Sequence, residues 1–210
     1  MKFINTYIIV FTLLSITIFS MHQSKDIVAS SAEEVCPINI GAKVPSVNVR
    51  DIDGEEINLR DITRDKKSIL IFYRGGWCPY CNLHLSELQN IENEIVELGY
   101  KLIAVSIDKA GKLKESLQEH KLNYELYSDS KAEASRAFGI AFKVGDSQAE
   151  MLKSHNMDLE KSSGEQHHIL PVPSVFIVDE EGKIKFEYVN PNYKERISGR
   201  LLLSAAKEIK

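Results

Sequence analysis

Cysteine is scarce in this chain. Three thiols in 210 residues are too few for a disulfide-built scaffold, so a hydrophobic core must hold the fold. Glycine and proline are also few, at 11 and 6, which excludes collagen-like and polar-repeat chains, and 43% hydrophobic residues exclude disorder over most of the length. Positive charge is not in excess. The 26 basic against 30 acidic side chains leave a net charge of -4 and no dense Lys/Arg block, so little counterion release is available and no nucleic-acid partner is expected. What remains is a globular composition, with one folded domain the expected count.

The first residues are of a different kind. Lys2 precedes an uncharged, largely apolar run from Tyr7 to Phe19, shorter than the roughly 20 residues a membrane-crossing helix needs. Residues 1–20 therefore read as a secretory signal, or as an anchor if left uncleaved, and residues 21–35 as a polar, Ser-rich flexible leader. The expected location is exported, periplasmic or extracellular, with a membrane tether through the N-terminus in the uncleaved case. Such a compartment lets a cysteine pair persist as a disulfide.

Residues 36–210 alternate strand-like and helix-like segments, the pattern of an α/β domain with helices on both faces of a central sheet. Val44–Val49, a turn at Asp51–Gly54 and Ile57–Leu59 predict a hairpin. Ser68–Tyr73 and Lys101–Ile107 are continuous apolar runs of strand length, expected to be buried on both sides. Between them Leu83, Leu85, Leu88, Ile91, Ile95 and Leu98 follow helical spacing up to Gly99, which predicts one helix of about 18 residues. Lys109–His120 and Ala132–Phe138 read as helices and Tyr124–Tyr127 as a strand. Lys143–Ile169 reads as a polar surface insertion with a short helix near Gln148–Ser154. Ser174–Val178 and Lys183–Val189 form a second hairpin, and Ser198 is placed to cap a last helix.

The strongest chemical signal is Tyr73-Arg-Gly-Gly-Trp-Cys-Pro-Tyr-Cys81. It sets Cys78 and Cys81 where a buried strand meets a long helix. First-turn amides have no intrahelical acceptor and carry partial positive charge, so a thiolate there is stabilised. The two-residue spacer lets the second sulfur reach the first within one turn, giving a redox-active dithiol. Pro79 suits the first turn because its missing N–H is not needed there, Trp77 would shield the pair, and Gly75 and Gly76 allow a sharp turn. Structural zinc would need a second pair at ligand spacing, which Cys36 and scattered histidines do not supply. No metal and no cofactor are expected.

With Leu170-Pro-Val-Pro-Ser-Val-Phe-Ile-Val-Asp179 and Asn190-Pro-Asn-Tyr193, the cysteine segment resembles the peroxiredoxin-like, CxxC-containing branch of the alkyl hydroperoxide reductase and thiol-specific antioxidant family, from about Cys36 to Ala206. The resemblance implies a thioredoxin fold with a central mixed β-sheet. It also implies a cis Val172–Pro173 bond that leaves backbone groups of residue 172 free to pair with an extended thiol substrate. In the family's Pro-x-x-x-Thr/Ser-x-x-Cys register, Cys81 takes the attacking position, Cys78 the Thr position and Arg74 the Pro position. The family's distant Arg falls on Pro173, leaving Arg74 as the candidate substitute cation.

Two redox readings follow. In the first, Cys81 attacks a hydroperoxide, Cys78 closes the disulfide, and an external thioredoxin-like donor reduces it. In the second, Cys78, expected to be the more exposed sulfur, attacks a protein disulfide and Cys81 resolves it. A third reading takes Cu(I) on the thiolates and His167-His168. Cys36 is an unneeded resolving thiol, and His84 is a candidate for proton transfer. Phe72 stands where a thioredoxin has its buried acid, which leaves proton handling unassigned. Glu92, Glu94 and Glu97 read as a solvated helix face.

Overall fold

The computed structural model describes residues 28–120 and 122–209; the expected signal and the first part of the leader lie outside them. The expected hairpin is β1 (Asn48–Arg50) with β2 (Glu56–Asn58), whose turn holds Gly54 at φ +90°. A short helix α1 (Leu59–Ile62) leads into β3 (Lys67–Tyr73). Helices α2 (Pro79–Gln89) and α3 (Glu92–Glu97) then precede β4 (Tyr100–Ser106), α4 (Ala110–His120) and β5 (Glu125–Ser128). After α5 (Glu133–Ala137) come β6 (Ala141–Lys143), α6 (Asp146–Ser154), α7 (Leu159–Ser163) and β7 (Ile169–Pro171). Strands β8 (Ser174–Val178) and β9 (Ile184–Val189) and helix α8 (Gly199–Glu208) close the chain.

The main sheet is mixed, in the order β2-β1-β5-β4-β3-β8-β9. β3, β4 and β5 run parallel, while β8 pairs antiparallel to β3. Alternation along the central strands divides the core. Ile69, Ile71 and Tyr73 of β3 face Leu85 and Leu88 of α2, Ile95 of α3 and Leu202 of α8. Leu70 and Phe72 face the other way, onto Leu59 and Phe138. There Phe72, Phe138 and Phe176 form an aromatic cluster with ring centroids 4.8, 5.0 and 6.0 Å apart. Each such pair adds about 0.5–1.5 kcal/mol beyond the area it buries. The α/β expectation, helices on both faces of a mixed central sheet, is met.

Several local expectations are corrected. The single long helix is broken at Asn90, where the Asn90 and Ile91 amides bond three residues back, to Glu87 and Leu88. Gln89 is pinned there, its carboxamide oxygen accepting from the Asn123 amide at 2.9 Å. Apolar spacing runs through the break unchanged, so periodicity could not reveal it. Part of the leader is packed. Ala29 is buried, pairs with Phe142 and exchanges backbone hydrogen bonds with Ala141 and Lys143. The 143–169 insertion is not simply polar surface, for Val144, Leu152 and Leu159 bury with Ile107 and Leu170 in a satellite core against Trp77.

The Val172–Pro173 bond is trans, and the described residues contain no cis peptide bond. β7 pairs with β6, and Val172 extends that pairing by donating its amide to the Ile140 carbonyl at 2.8 Å. Its own carbonyl accepts from the Ser174 hydroxyl at 2.7 Å. The backbone of residue 172 is therefore occupied within the chain. Trans is also the ordinary state of an X–Pro bond.

Candidate active site

β3 is buried from Ser68 to Tyr73 and delivers the chain at its C-terminal end to Arg74-Gly-Gly-Trp77. Gly75 takes φ +142°, and a Cβ there would lie 2.3 Å from the Trp77 indole nitrogen and 2.7 Å from Asp108 Oδ1. Only glycine fits that position. The loop is held from two sides. The Gly76 amide donates to Asp108 Oδ2 at 2.6 Å, and Asn82 Nδ2 donates to the Gly76 carbonyl at 2.7 Å.

Cys78 is the N-cap residue of α2, with extended backbone and no capping bond from its side chain, and Pro79 follows in the first turn as expected. Both sulfurs are free thiols. Cys78 is the less buried of the two, as expected, but only slightly, for both residues are buried, Cys78 at 2% and Cys81 at 1% exposure. Their environments pull them apart. The Cys81 thiol donates a hydrogen bond to Cys78, and with the Arg74 and Arg196 guanidiniums it outweighs burial and brings Cys78 down to about 6. Burial, and its own role as donor to Cys78, push Cys81 well above the ordinary thiol range.

Arg74 is a buried cation rather than a solvated loop charge. It is 5% exposed, with its guanidinium carbon 4.3 Å from the Tyr193 ring centroid and 5.1 Å from that of Trp77. Tyr193 packs its edge against Tyr80. Pro173 lines the same cleft as Arg74 and Tyr193.

Residues not singled out in the sequence complete the site. Arg196 Nη2 donates to Cys81 Sγ at 3.6 Å, supplying the cation that the family register left vacant at Pro173. A separation of 115 positions gives the sequence no signal of it. Asp108, just beyond β4, is a buried carboxyl beside Cys78, raised to about 7 chiefly by desolvation. It supplies the buried acid that Phe72 lacks, from a different strand. An acid directly after a buried strand was the available clue.

The remaining expected residues are distributed elsewhere. His84 is buried and lowered to about 4 by desolvation, so it is neutral near pH 7, and its Nε2 bonds the Ile197 carbonyl at 3.1 Å rather than a sulfur. Cys36 is exposed and opens on another groove with Lys43, Arg60 and Arg136. His167 spends both ring nitrogens on the Ser130 carbonyl and the Ile169 amide, and His168 faces Glu160 at 3.0 Å. Among the described residues no metal-binding group of three His, Cys, Asp or Glu occurs, and His167-His168 are not gathered with the thiols into one.

Known proteins resemble this chain in sequence and in fold. Peroxiredoxin Bcp of Escherichia coli K12 is 28% identical over 104 residues, which is 50% of this chain and 66% of that protein. The chain thus spans just under two thirds of that relative. Thiol-disulfide oxidoreductase ResA of Bacillus anthracis is 20% identical over 165 residues, 78% of each chain. Among solved structures, peroxidoxin BcpB of Mycobacterium tuberculosis superimposes with a TM-score of 0.64 at 16% identity, covering 82% of this chain and 99% of that one. Reduced Prx3 of Vibrio vulnificus gives 0.67 at 15% identity, covering 81% and 99%. These likenesses show the thioredoxin fold of peroxiredoxins. The AhpC/TSA family model matches residues 40–187, and the chain, with its cysteine pair at the start of α2, belongs to the AhpC/TSA family.

Proposed function

We propose that the protein is a peroxiredoxin-like oxidoreductase that reduces hydroperoxides through a Cys78/Cys81 dithiol-disulfide cycle, with an external thioredoxin-like protein as electron donor. The observation that carries this reading is the enclosure of the pair. Cys78 and Cys81 are buried and the Val172 backbone is already bonded within the chain, so a small peroxide needs no docking strand, whereas an extended protein substrate finds the strand edge at residue 172 already taken.

The ionisation of the pair favours Cys78 as the attacking sulfur, the reverse of the order implied by the family register. Cys78 thiolate attacks the terminal peroxide oxygen. The O–O bond breaks, Cys78 becomes a sulfenic acid, and the departing alkoxide or hydroxide takes a proton. Cys81 then attacks Cys78 sulfur, forming the disulfide and releasing the sulfenic oxygen as water with the proton from Cys81. The Arg196 guanidinium at 3.6 Å stabilises the Cys81 thiolate as it forms. The donor's dithiol then reduces the disulfide.

Disulfide exchange is the second reading, favoured by the likeness to ResA over 78% of each chain. Kinetics separate the two. The reduced protein is expected to consume hydrogen peroxide at least about a hundredfold faster than free cysteine, within the range that preorganised charge contributes, while reducing a folded protein disulfide slowly. The opposite ranking replaces the peroxidase with an exchange enzyme. We also propose export directed by residues 1–20, with a membrane tether if the segment is retained. Cell fractionation and N-terminal sequencing of the mature protein test this, and a cytosolic protein beginning at Met1 refutes it.

A further inference from the structure

Arg74 has a feature that its neighbourhood to Cys78 does not use. It is 5% exposed, yet its Nε has no hydrogen-bond partner, and among the described residues no carboxylate pairs with it. Trp77 and Tyr193 engage the guanidinium through their rings. Stacking of that kind leaves the edge of the guanidinium, where its N–H groups point, for an acceptor in its plane. A desolvated cation that no carboxylate pairs and that only a neighbouring thiolate shares is costly to bury and gains from a further anion in the plane of its N–H groups. Arg74 also lines a cavity of about 270 Å³ together with Tyr193, Pro173, Lys143 and Gln148. That volume lies below the usual range for drug-sized ligands and suits a small molecule. Lys143 adds positive charge to the lining. Glu33, the acid at this cavity, is fully exposed and engaged by its own backbone and Ser31.

We propose that this cleft is a carboxylate subsite, in which the edge of Arg74 holds the carboxylate of a small organic hydroperoxide while its peroxide end reaches the cysteine pair. The assignment rests on the peroxidase reading for the reactive end of the substrate, but not for the carboxylate site itself. A planar carboxylate matches the guanidinium fork in two parallel N–H···O bonds. Because the Cys78 thiolate shares this cation, a bound carboxylate makes that thiol harder to ionise, a response a purely structural arginine would not give.

The test uses Trp77, the sole tryptophan, as reporter on the full chain. Titration with redox-inert hexanoate is expected to change its fluorescence saturably. Hexanamide should bind at least about tenfold more weakly, and Arg74→Gln should lose hexanoate binding by a similar factor, each tenfold being 1.4 kcal/mol. Equal titration by acid and amide overturns the proposal, as does undiminished hexanoate binding by Arg74→Gln. If that variant does not fold, the acid and amide comparison in the unaltered protein decides alone. Turnover of a short hydroperoxy acid against its methyl ester then separates the two claims. Carboxylate binding without turnover of either peroxide removes the peroxidase reading and keeps the subsite; equal turnover of acid and ester removes the subsite as a substrate determinant and keeps the peroxidase.

Discussion

At the scale of single residues, the account turns on two thiols three positions apart with opposite protonation. Cys78 is held at about 6 by the Cys81 thiol and nearby guanidiniums, whereas Cys81 stays protonated. The thiolate is the reactive form, so the rate of attack should rise with pH through about 6 and level off above it. Arg74→Gln removes a positive neighbour, so the midpoint should move upward. Iodoacetamide alkylation of a Cys36→Ser protein that keeps Cys81, with the Cys78 adduct quantified by peptide mass spectrometry across pH 5–9, reads this profile; a midpoint near that of free cysteine, about 8.5, would contradict it. Cys78, Cys81, Trp77 and Pro79 were legible from the sequence because they sit together in one motif. Asp108 and Arg196 were not, since each reaches the site from a distant part of the chain, while Asn82, next to Cys81, carries no motif that marks its bond to the Gly76 carbonyl.

At the scale of elements, α2 acts as a ruler. Cys81, His84 and Glu87 lie one turn apart, and all meet the segment that enters α8. Arg196 reaches Cys81, Ile197 receives the His84 ring nitrogen, and the Gly199 amide donates to Glu87 at 2.8 Å. His84 is thus a positioning residue, fixing the backbone next to Arg196. Its neutrality matches this role, because a neutral Nε2–H donates to a carbonyl without burying a charge. Arg196→Ala should slow disulfide closure, and should slow the first peroxide step less, because Arg196 acts on Cys78 more weakly than Arg74 does. If the guanidinium is worth about one pKa unit to Cys81, closure slows about tenfold. His84→Phe leaves the Ile197 carbonyl unpaired, at a cost of about 1–3 kcal/mol, and should slow closure in the same direction, with His84→Gln recovering part of both. Stopped-flow Trp77 fluorescence resolves the two phases. Unchanged closure in Arg196→Ala would remove the arginine from the mechanism.

At the scale of the molecule, the central strands were readable because each is a continuous apolar run that needs cover on both faces. The break at Asn90, the pairing of β6 with β7 and the packing of Ala29 were not readable. They depend on contacts between segments far apart in the chain, to which local spacing is blind. The same long-range pairing occupies the Val172 backbone, and the bond to Pro173 is trans, so the docking edge expected from the family likeness is absent. What results is an enclosed dithiol between the main sheet's helices and the satellite core over Trp77. Enclosure favours a small oxidant, and the ionisation order favours Cys78 as the sulfur that meets it. The direct measurement is sulfenic acid trapping with dimedone after a pulse of hydrogen peroxide, read by peptide mass spectrometry in Cys78→Ser and Cys81→Ser proteins that also carry Cys36→Ser. The account predicts rapid labelling of Cys78 in the Cys81→Ser protein and only free-thiol reactivity in the Cys78→Ser protein; rapid labelling of Cys81 in the Cys78→Ser protein would contradict it.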